Sequence, residues 1–224
     1  MKIYLTRHFE SLGNKDPSEY FRKSDCDIEL SEAGRHQSIQ TSDKIMGIIE
    51  EKQSNQSEMY HRLGFETTIF NMYYSPYRRA IQSANLIHGR ITSFEGYRIN
   101  EFKESPLLVE RAWGSLRDIV ESGKKNNGHF NFFYRPGEGG ESFADCYQRV
   151  VLFDMWLKST SKYEHNIVVA HGEFNKLYMM HLLGWSVEEF EKWKTPSNGE
   201  VFLIEDGKLS SLTPLTVSER YIKH

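Results

Sequence analysis

An arginine and a histidine stand side by side at Arg7 and His8, where the apolar residues 3–5 give way to the Ser/Gly/Asn-rich residues 11–14. An imidazole can attack phosphorus as a nucleophile, and a guanidinium can bind phosphate oxygens through two hydrogen bonds. A histidine alone at the end of a strand is usually only a surface residue. The pair therefore indicates phosphate chemistry only if distant parts of the chain supply further donors.

Two other stretches repeat this arrangement of a strand followed by a polar or cationic residue. The β-branched and aromatic residues 67–74 predict a strand that ends at Ser75, and Arg79 follows shortly afterwards. The apolar residues 166–170 predict a strand buried on both faces, and His171 follows it directly. Because the carboxyl ends of parallel strands meet at one edge of a sheet, we expect all three pieces to share a crevice.

The elements that must position these side chains alternate between strands and helices. Helices are predicted to begin at Ser31, at Ser75-Pro76 and at Ser142, where each serine can act as an N-cap. Residues 201–204 predict a last strand. This alternation predicts an α/β fold, a three-layer α/β/α sandwich with a mainly parallel central sheet.

The length of 224 residues suits a single domain over 1–224, with insertions near 50–66 and 117–140. The net charge of −3 and the scattered basic residues argue against nucleic-acid binding. No apolar run reaches the roughly 18 residues that a membrane helix needs, so no membrane association is expected. The amino-terminal residues do not resemble a secretory signal, and Cys26 and Cys146 are predicted to be free thiols, so we expect a cytoplasmic protein.

Motifs for metals and nucleotides are absent from the sequence. It contains no HExxH, no clustered Cys and His, and no GxxxxGK[ST] loop. We therefore expect the chemistry to need no metal and no cofactor.

Five ordered stretches together resemble the histidine phosphatase superfamily, also called phosphoglycerate mutase-like, in its branch 1 form. They are TRHFESLGN at 6–14, LSEAGRHQ at 30–37, SPYRRAIQSA at 75–84, LVERAWG at 108–114 and VVAHG at 168–172. The first resembles the Arg-His-Gly-Glu signature of the family, and the last resembles its second histidine motif. One such motif would be weak, but five in order are specific.

The resemblance implies a role for each matching residue. His8 would be the nucleophile, Glu110 the general acid and base, and a protonated His171 would stabilise the transferred group. Phosphate binding would fall to Arg7, Asn14, Arg79 and His171. Two assignments leave alternatives open: Arg78 could replace Arg79, since one residue turns a helical side chain by about 100°, and the acid could be Glu101, Glu104 or Glu141.

One residue departs from the family pattern. Phe9 stands where glycine is usual, and glycine would let the backbone approach a phosphate closely. The phenylalanine ring would crowd the pocket unless it turns into the core.

The resemblance implies hydrolysis of a small phosphorylated metabolite through a phosphohistidine intermediate. Two alternatives stay open: a phosphotransferase of the phosphoglycerate mutase type, and a phosphate- or protein-binding module that has lost turnover. We expect a monomer or homodimer whose partner is a small phosphorylated substrate.

Overall fold

The computed structural model of the protein describes residues 1–54, 67–114 and 132–211. Its strands are β1 (Lys2–Arg7), β2 (Thr68–Tyr74), β3 (Tyr97–Glu104), β4 (His165–Ala170), β5 (Val201–Glu205) and β6 (Lys208–Ser211). Its α-helices are α1 (Leu12–Lys15), α2 (Glu32–Ser54), α3 (Arg78–Thr92), α4 (Phe143–Thr160), α5 (Gly172–Leu183) and α6 (Val187–Lys192). Short 3₁₀ turns cover Pro17–Phe21, Asp25–Asp27 and Pro106–Leu108.

The strands form one sheet in the order β3-β2-β4-β1-β5-β6. The first four run parallel, while β5 pairs antiparallel with both β1 and β6. The predicted α/β fold with a mainly parallel sheet is confirmed. The last strand, β6, was not predicted, because it is a short edge strand without an apolar run.

Apolar side chains cover both faces of the sheet. On one face, Leu5 and Val168 pack with Phe174 of α5 in a buried cluster. On the other, Tyr4 and Ile167 pack with residues of α2 and α3. Successive strand residues point to opposite faces, which is why neighbours in sequence belong to different clusters. The helices thus lie in two layers around the sheet, as expected for a three-layer sandwich.

The sheet register brings the carboxyl ends of β2, β4 and β1 together. Arg7 is level with Ala170, and the His8 N–H donates to the Ala170 carbonyl at 2.9 Å. The Ser75 N–H donates to the Val169 carbonyl at 3.1 Å. The three predicted pieces therefore stand at one edge on adjacent strands.

Two of the three predicted helix starts are confirmed. Ser31 Oγ accepts a hydrogen bond from the Gly34 N–H, and Ser142 forms a capping box with Asp145. The prediction at Ser75 was wrong, because α3 begins at Arg78 and its N-cap is Tyr77. The Ser75 hydroxyl is instead hydrogen-bonded to His171.

The predicted insertions fall largely on residues 55–66 and 115–131, which lie outside the described residues. Residues 50–54 continue α2, and Phe132 packs into the core before α4 begins. Among the described helices, none is both long and apolar enough to cross a membrane.

Candidate active site

His8 lies just past the end of β1 and is only 2% exposed. Its Nδ1 is 2.7 Å from the Phe9 carbonyl oxygen, which can only accept, so the ring carries its proton on Nδ1. The other nitrogen, Nε2, accepts a hydrogen bond from Arg79 Nε at 3.2 Å. Burial and the charges of Arg79 and Arg7 hold the pKa of His8 well below its usual value. The structure therefore presents a neutral imidazole whose Nε2 lone pair faces a guanidinium.

Arg79, and not Arg78, points at His8 from the first turn of α3. Arg79 is 3% exposed and also pairs with Asp25 through Nη1 at 2.9 Å. Arg78 is on the exposed side of the helix and pairs with Glu29 at 2.8 Å. Of the two arginines, Arg79 is therefore the one that contacts His8.

Arg7 faces the first turn of α5. Its Nη1 donates to the Pro196 carbonyl at 2.8 Å, while its Nε is buried with no hydrogen-bond partner among the described residues. A Cβ at Gly172 would lie 2.7 Å from the Thr195 methyl carbon and 3.3 Å from Arg7 Cζ. Glycine at 172 therefore makes room for the guanidinium.

His171 is fully buried beside His8, with ring centroids 5.2 Å apart. Its Nε2 is 2.7 Å from Ser75 Oγ, and its Nδ1 has no partner within the described part of the chain. Burial and the neighbouring Arg79, His8 and Arg7 hold the pKa of His171 well below its usual value. The sequence predicted a protonated His171; in the site without phosphate, burial and these neighbouring charges favour its neutral form.

Asn14 reaches the site from α1. Its Oδ1 accepts hydrogen bonds from the Ser11 N–H, the Ser11 hydroxyl and Asn198 Nδ2 at 3.1, 2.9 and 3.0 Å. With the oxygen so engaged, the amide nitrogen is the donor that Asn14 can offer to the cavity. Asn198 also donates to the His8 carbonyl at 3.0 Å and so ties the two segments together.

Glu110 lies at the amino terminus of α5, opposite the two arginines. Its Oε1 accepts from the N–H groups of Arg111 and Phe174 at 3.0 and 3.1 Å, and its Oε2 accepts from that of Glu173 at 3.3 Å. Helix N-termini attract carboxylates because their first N–H groups have no partners inside the helix. These bonds fix the carboxyl group at the cavity wall.

The competing carboxylates are engaged elsewhere. Glu101 accepts from the Tyr73 hydroxyl at 2.8 Å, and Glu141 accepts from Nε and Nη2 of Arg149 at 2.8 and 2.7 Å. Glu104 ends β3 at the far side of the sheet from β1. Among these four candidates, Glu110 is the one that lines the cavity.

Arg149 of α4 holds the Glu110 segment in place, and sequence reasoning missed it. It donates to the carbonyls of Leu107, Val109 and Glu110 at 2.8, 3.1 and 3.4 Å. Nothing in the local sequence marks it, because its partners lie about 40 residues away.

Of these groups, Arg7, His8, Asn14, Arg79 and Glu110 border one cavity of about 750 Å³, a size suited to a small metabolite. His171 packs against His8 but does not line this cavity. The cavity wall also contains residues that the sequence did not single out: Tyr20, Lys23, Asp25, Tyr77, Trp113 and Glu173. The position of Glu173, directly after His171-Gly172, was the one local signal for any of them. Trp113 is 39% exposed and lines the cavity.

Phe9 does not crowd this cavity. Its ring is fully buried in the cluster formed with α2 and α3, and its N–H donates to Ser83 Oγ at 3.0 Å. A Cβ at Gly199 would lie 3.1 Å from the ring, so glycine there leaves space for it. The second possibility raised by the sequence, a ring turned into the core, is the one the structure shows.

Two known proteins are similar in sequence to this chain. Phosphoglycerate mutase-like protein AT74 of Arabidopsis thaliana is 32% identical over 220 residues, which cover 92% of this chain but 65% of that protein. This chain thus spans slightly less than two thirds of that relative's length. The broad-range acid phosphatase DET1 of Saccharomyces cerevisiae is 29% identical over 125 residues, 49% of this chain and 34% of that one.

Solved structures share the fold. A mycobacterial glucosyl-3-phosphoglycerate phosphatase superposes with a TM-score of 0.60 at 19% identity, covering 90% of this chain and 88% of that one. The α-ribazole phosphatase of Shigella flexneri gives 0.61 at 18% identity and covers 94% of both chains. The model of the histidine phosphatase superfamily, branch 1, matches residues 3–208, and the chain belongs to that family.

Proposed function

We propose that the protein hydrolyses small phosphomonoesters through a phosphohistidine formed on His8. The observation that carries the proposal is the state of that ring, a buried, neutral imidazole with its proton held on Nδ1 and its Nε2 facing Arg79. A neutral nitrogen lone pair is the form that can attack phosphorus.

In the first step, His8 Nε2 forms a bond to phosphorus while the bond to the leaving oxygen breaks. Arg79 exchanges its bond to Nε2 for bonds to phosphate oxygens, and Arg7 offers its unpartnered Nε. Asn14 adds an amide donor. Because charge is spread over the phosphoryl oxygens in the transition state, such fixed donors lower the barrier.

His171 can serve as a donor without carrying a positive charge. The Ser75 hydroxyl accepts from the Tyr77 N–H at 3.3 Å, so its own proton can be donated to His171 Nε2. The imidazole proton would then reside on Nδ1, the atom left without a partner. A neutral His171 would therefore donate to a phosphoryl oxygen.

Glu110 is proposed to give its proton to the leaving oxygen and then to take one from the water that cleaves the phosphohistidine. The products are the alcohol and inorganic phosphate, and His8 returns to its neutral form. Since the arginines and donors supply the charge stabilisation, we propose that no metal ion or cofactor takes part.

The names of the relatives support a hydrolase in general terms. AT74 is phosphoglycerate mutase-like, DET1 is an acid phosphatase, and the mycobacterial neighbour is a phosphatase. A mutase function is the less favoured reading, because a mutase needs further cations for the substrate carboxylate, and Arg111 beside Glu110 is already paired with Glu173.

The test is hydrolysis of p-nitrophenyl phosphate by the wild type and by His8→Ala, with EDTA present. We expect His8→Ala to abolish turnover, while His36→Ala, the same change at an exposed histidine of α2, retains it. Rapid quench with labelled substrate should trap an acid-labile adduct in the wild type alone. Turnover by His8→Ala, or wild-type turnover without an adduct, would contradict the proposal.

A further inference from the structure

The cavity has two ends of opposite charge. Arg7 and Arg79 flank His8 at the inner end, where the phosphoryl group would bind. Beyond them, the charged wall residues in the described part of the chain are two carboxylates, Glu110 and Glu173, and one lysine, Lys23, since Asp25 is paired with Arg79. The region that would receive the leaving alcohol thus has two carboxylates against one lysine.

A buried arginine beside these carboxylates cannot reach a ligand. Arg111 donates to Glu173 through Nε at 2.7 Å and Nη2 at 3.2 Å, and its Nη1 donates to the Glu141 carbonyl at 2.8 Å. Its guanidinium lies over the rings of Trp113 and Phe143, at 4.5 and 4.3 Å, and its side chain is 1% exposed. Three of its five N–H groups are hydrogen-bonded and its side chain is buried, so it is not available to a substrate carboxylate.

Glu173 is the residue that forms the ion pair with Arg111, and it lines the cavity next to Glu110. The Glu173 N–H donates to Glu110 Oε2 at 3.3 Å, which places this residue beside the group that would protonate the leaving oxygen. A second anion on the leaving group would therefore approach a carboxylate, and the buried Arg111 is not free to bind it. A neutral or cationic alcohol would meet no such repulsion, and it could contact the rings of Tyr20, Tyr77 and Trp113.

We propose that Glu173 determines specificity by excluding leaving groups that carry a carboxylate, so that the substrates are phosphomonoesters of uncharged or cationic alcohols. This inference rests on the proposed phosphatase function. It concerns the wall opposite the phosphate-binding arginines, and no group that attacks or binds the phosphoryl group is altered in its test.

The wild-type protein supplies the first measurement. Glycerol 3-phosphate, 3-phosphoglycerate and phosphoethanolamine are three-carbon or two-carbon phosphomonoesters whose leaving groups are neutral, anionic and cationic. We expect kcat/KM for 3-phosphoglycerate to be about tenfold or more below that for the other two, because like charges repel strongly at a partly buried wall. Equal or faster hydrolysis of 3-phosphoglycerate would overturn the proposal.

The second measurement compares Glu173→Gln with Glu188→Gln, the same change at an exposed position of α6. Glu173→Gln removes the wall charge and leaves Arg111 uncompensated, so the ratio of kcat/KM for 3-phosphoglycerate to that for glycerol 3-phosphate should rise about tenfold. Glu188→Gln should leave the ratio within about twofold of wild type. A folded Glu173→Gln protein with an unchanged ratio would overturn the proposal, and if that variant does not fold, the wild-type comparison decides alone.

The two proposals fail in different ways. A protein that hydrolyses none of these compounds, p-nitrophenyl phosphate included, contradicts the phosphatase function and the specificity together. A protein that releases phosphate from all of them at similar rates retains the proposed function and contradicts the role of Glu173.

Discussion

The inner and outer ends of the cavity are positioned by different means. At the inner end, Arg7, His8 and His171 belong to or directly follow strands whose backbones are hydrogen-bonded in register. At the outer end, Glu110 stands in an irregular segment that side chains hold from outside, chiefly Arg149 and the first turn of α5. The comparison teaches that strand pairing fixes Arg7, His8 and His171, whereas the proposed acid depends on a long-range side-chain network.

The largest effect is expected at the inner end. Arg79→Met should lower kcat/KM for p-nitrophenyl phosphate by about 10²–10³, the usual cost of one preorganised donor. Arg78→Met is the matched control, because it changes the adjacent, exposed arginine of the same helix, and it should stay within about threefold of wild type. Similar losses in the two variants would show that Arg79 has no special place in the site.

A smaller, different effect is expected at the outer end. Arg149→Met should lower kcat by about 10–10², because the carbonyls of residues 107, 109 and 110 lose their shared donor and Glu110 is no longer held. Inhibition by inorganic phosphate should change little, since the inner end is intact. Gln148→Met, at the exposed neighbouring position of α4, is the control. Equal losses in kcat and in phosphate binding would mean that the two ends are not independent.

The smallest effect near neutral pH concerns stability. The folded-state pKa values of His8 and His171 are well below the ordinary 6.5, so below pH 6.5 the unfolded chain binds protons that the folded chain does not. Stability should therefore fall as the pH drops through this range, by up to about 1.4 kcal/mol per pH unit for each histidine. Urea unfolding between pH 7.5 and 5.5 measures this slope.

At the outer end of the cavity, the effect of pH on folding stability has the opposite sign. Burial raises the pKa of Glu173, so the folded chain holds that proton more readily than the unfolded chain, and acid should favour folding at this group.

The histidine contribution is tested by substitution. His171→Asn should reduce the loss of stability between pH 7.5 and 5.5, and His36→Ala, at an exposed position, should not. An unchanged slope in His171→Asn would contradict the assignment of a neutral buried imidazole.

Local patterns sufficed for the sheet and for most of the inner end. Apolar runs predicted β2 and β4, and the residues directly after them could be placed because parallel strands align their carboxyl ends. Where the prediction erred, long-range contacts were responsible. Ser75 looked like a helix cap, but its hydroxyl bonds to His171, and the burial and the arginines that lower the pKa of His171 also come from distant segments.

The outer end could not be predicted in the same way. The pairing of Arg111 with Glu173, the hold of Arg149 on Glu110 and the exposure of Trp113 at the cavity all depend on residues distant in sequence. The orientation of the Phe9 ring is a further case, because a ring next to His8 can point either into the cavity or into the core. Only the packing of α2 and α3 decided it.

By itself, the sequence determined the family, the parallel sheet and the order in which phosphate-binding residues follow its strands, because periodicity and strand ends are local properties. The tertiary structure decided which arginine faces His8, which nitrogen of that imidazole carries the proton, and which charges line the cavity. Those properties arise from burial and from contacts between segments far apart in the chain, and no local pattern encodes them.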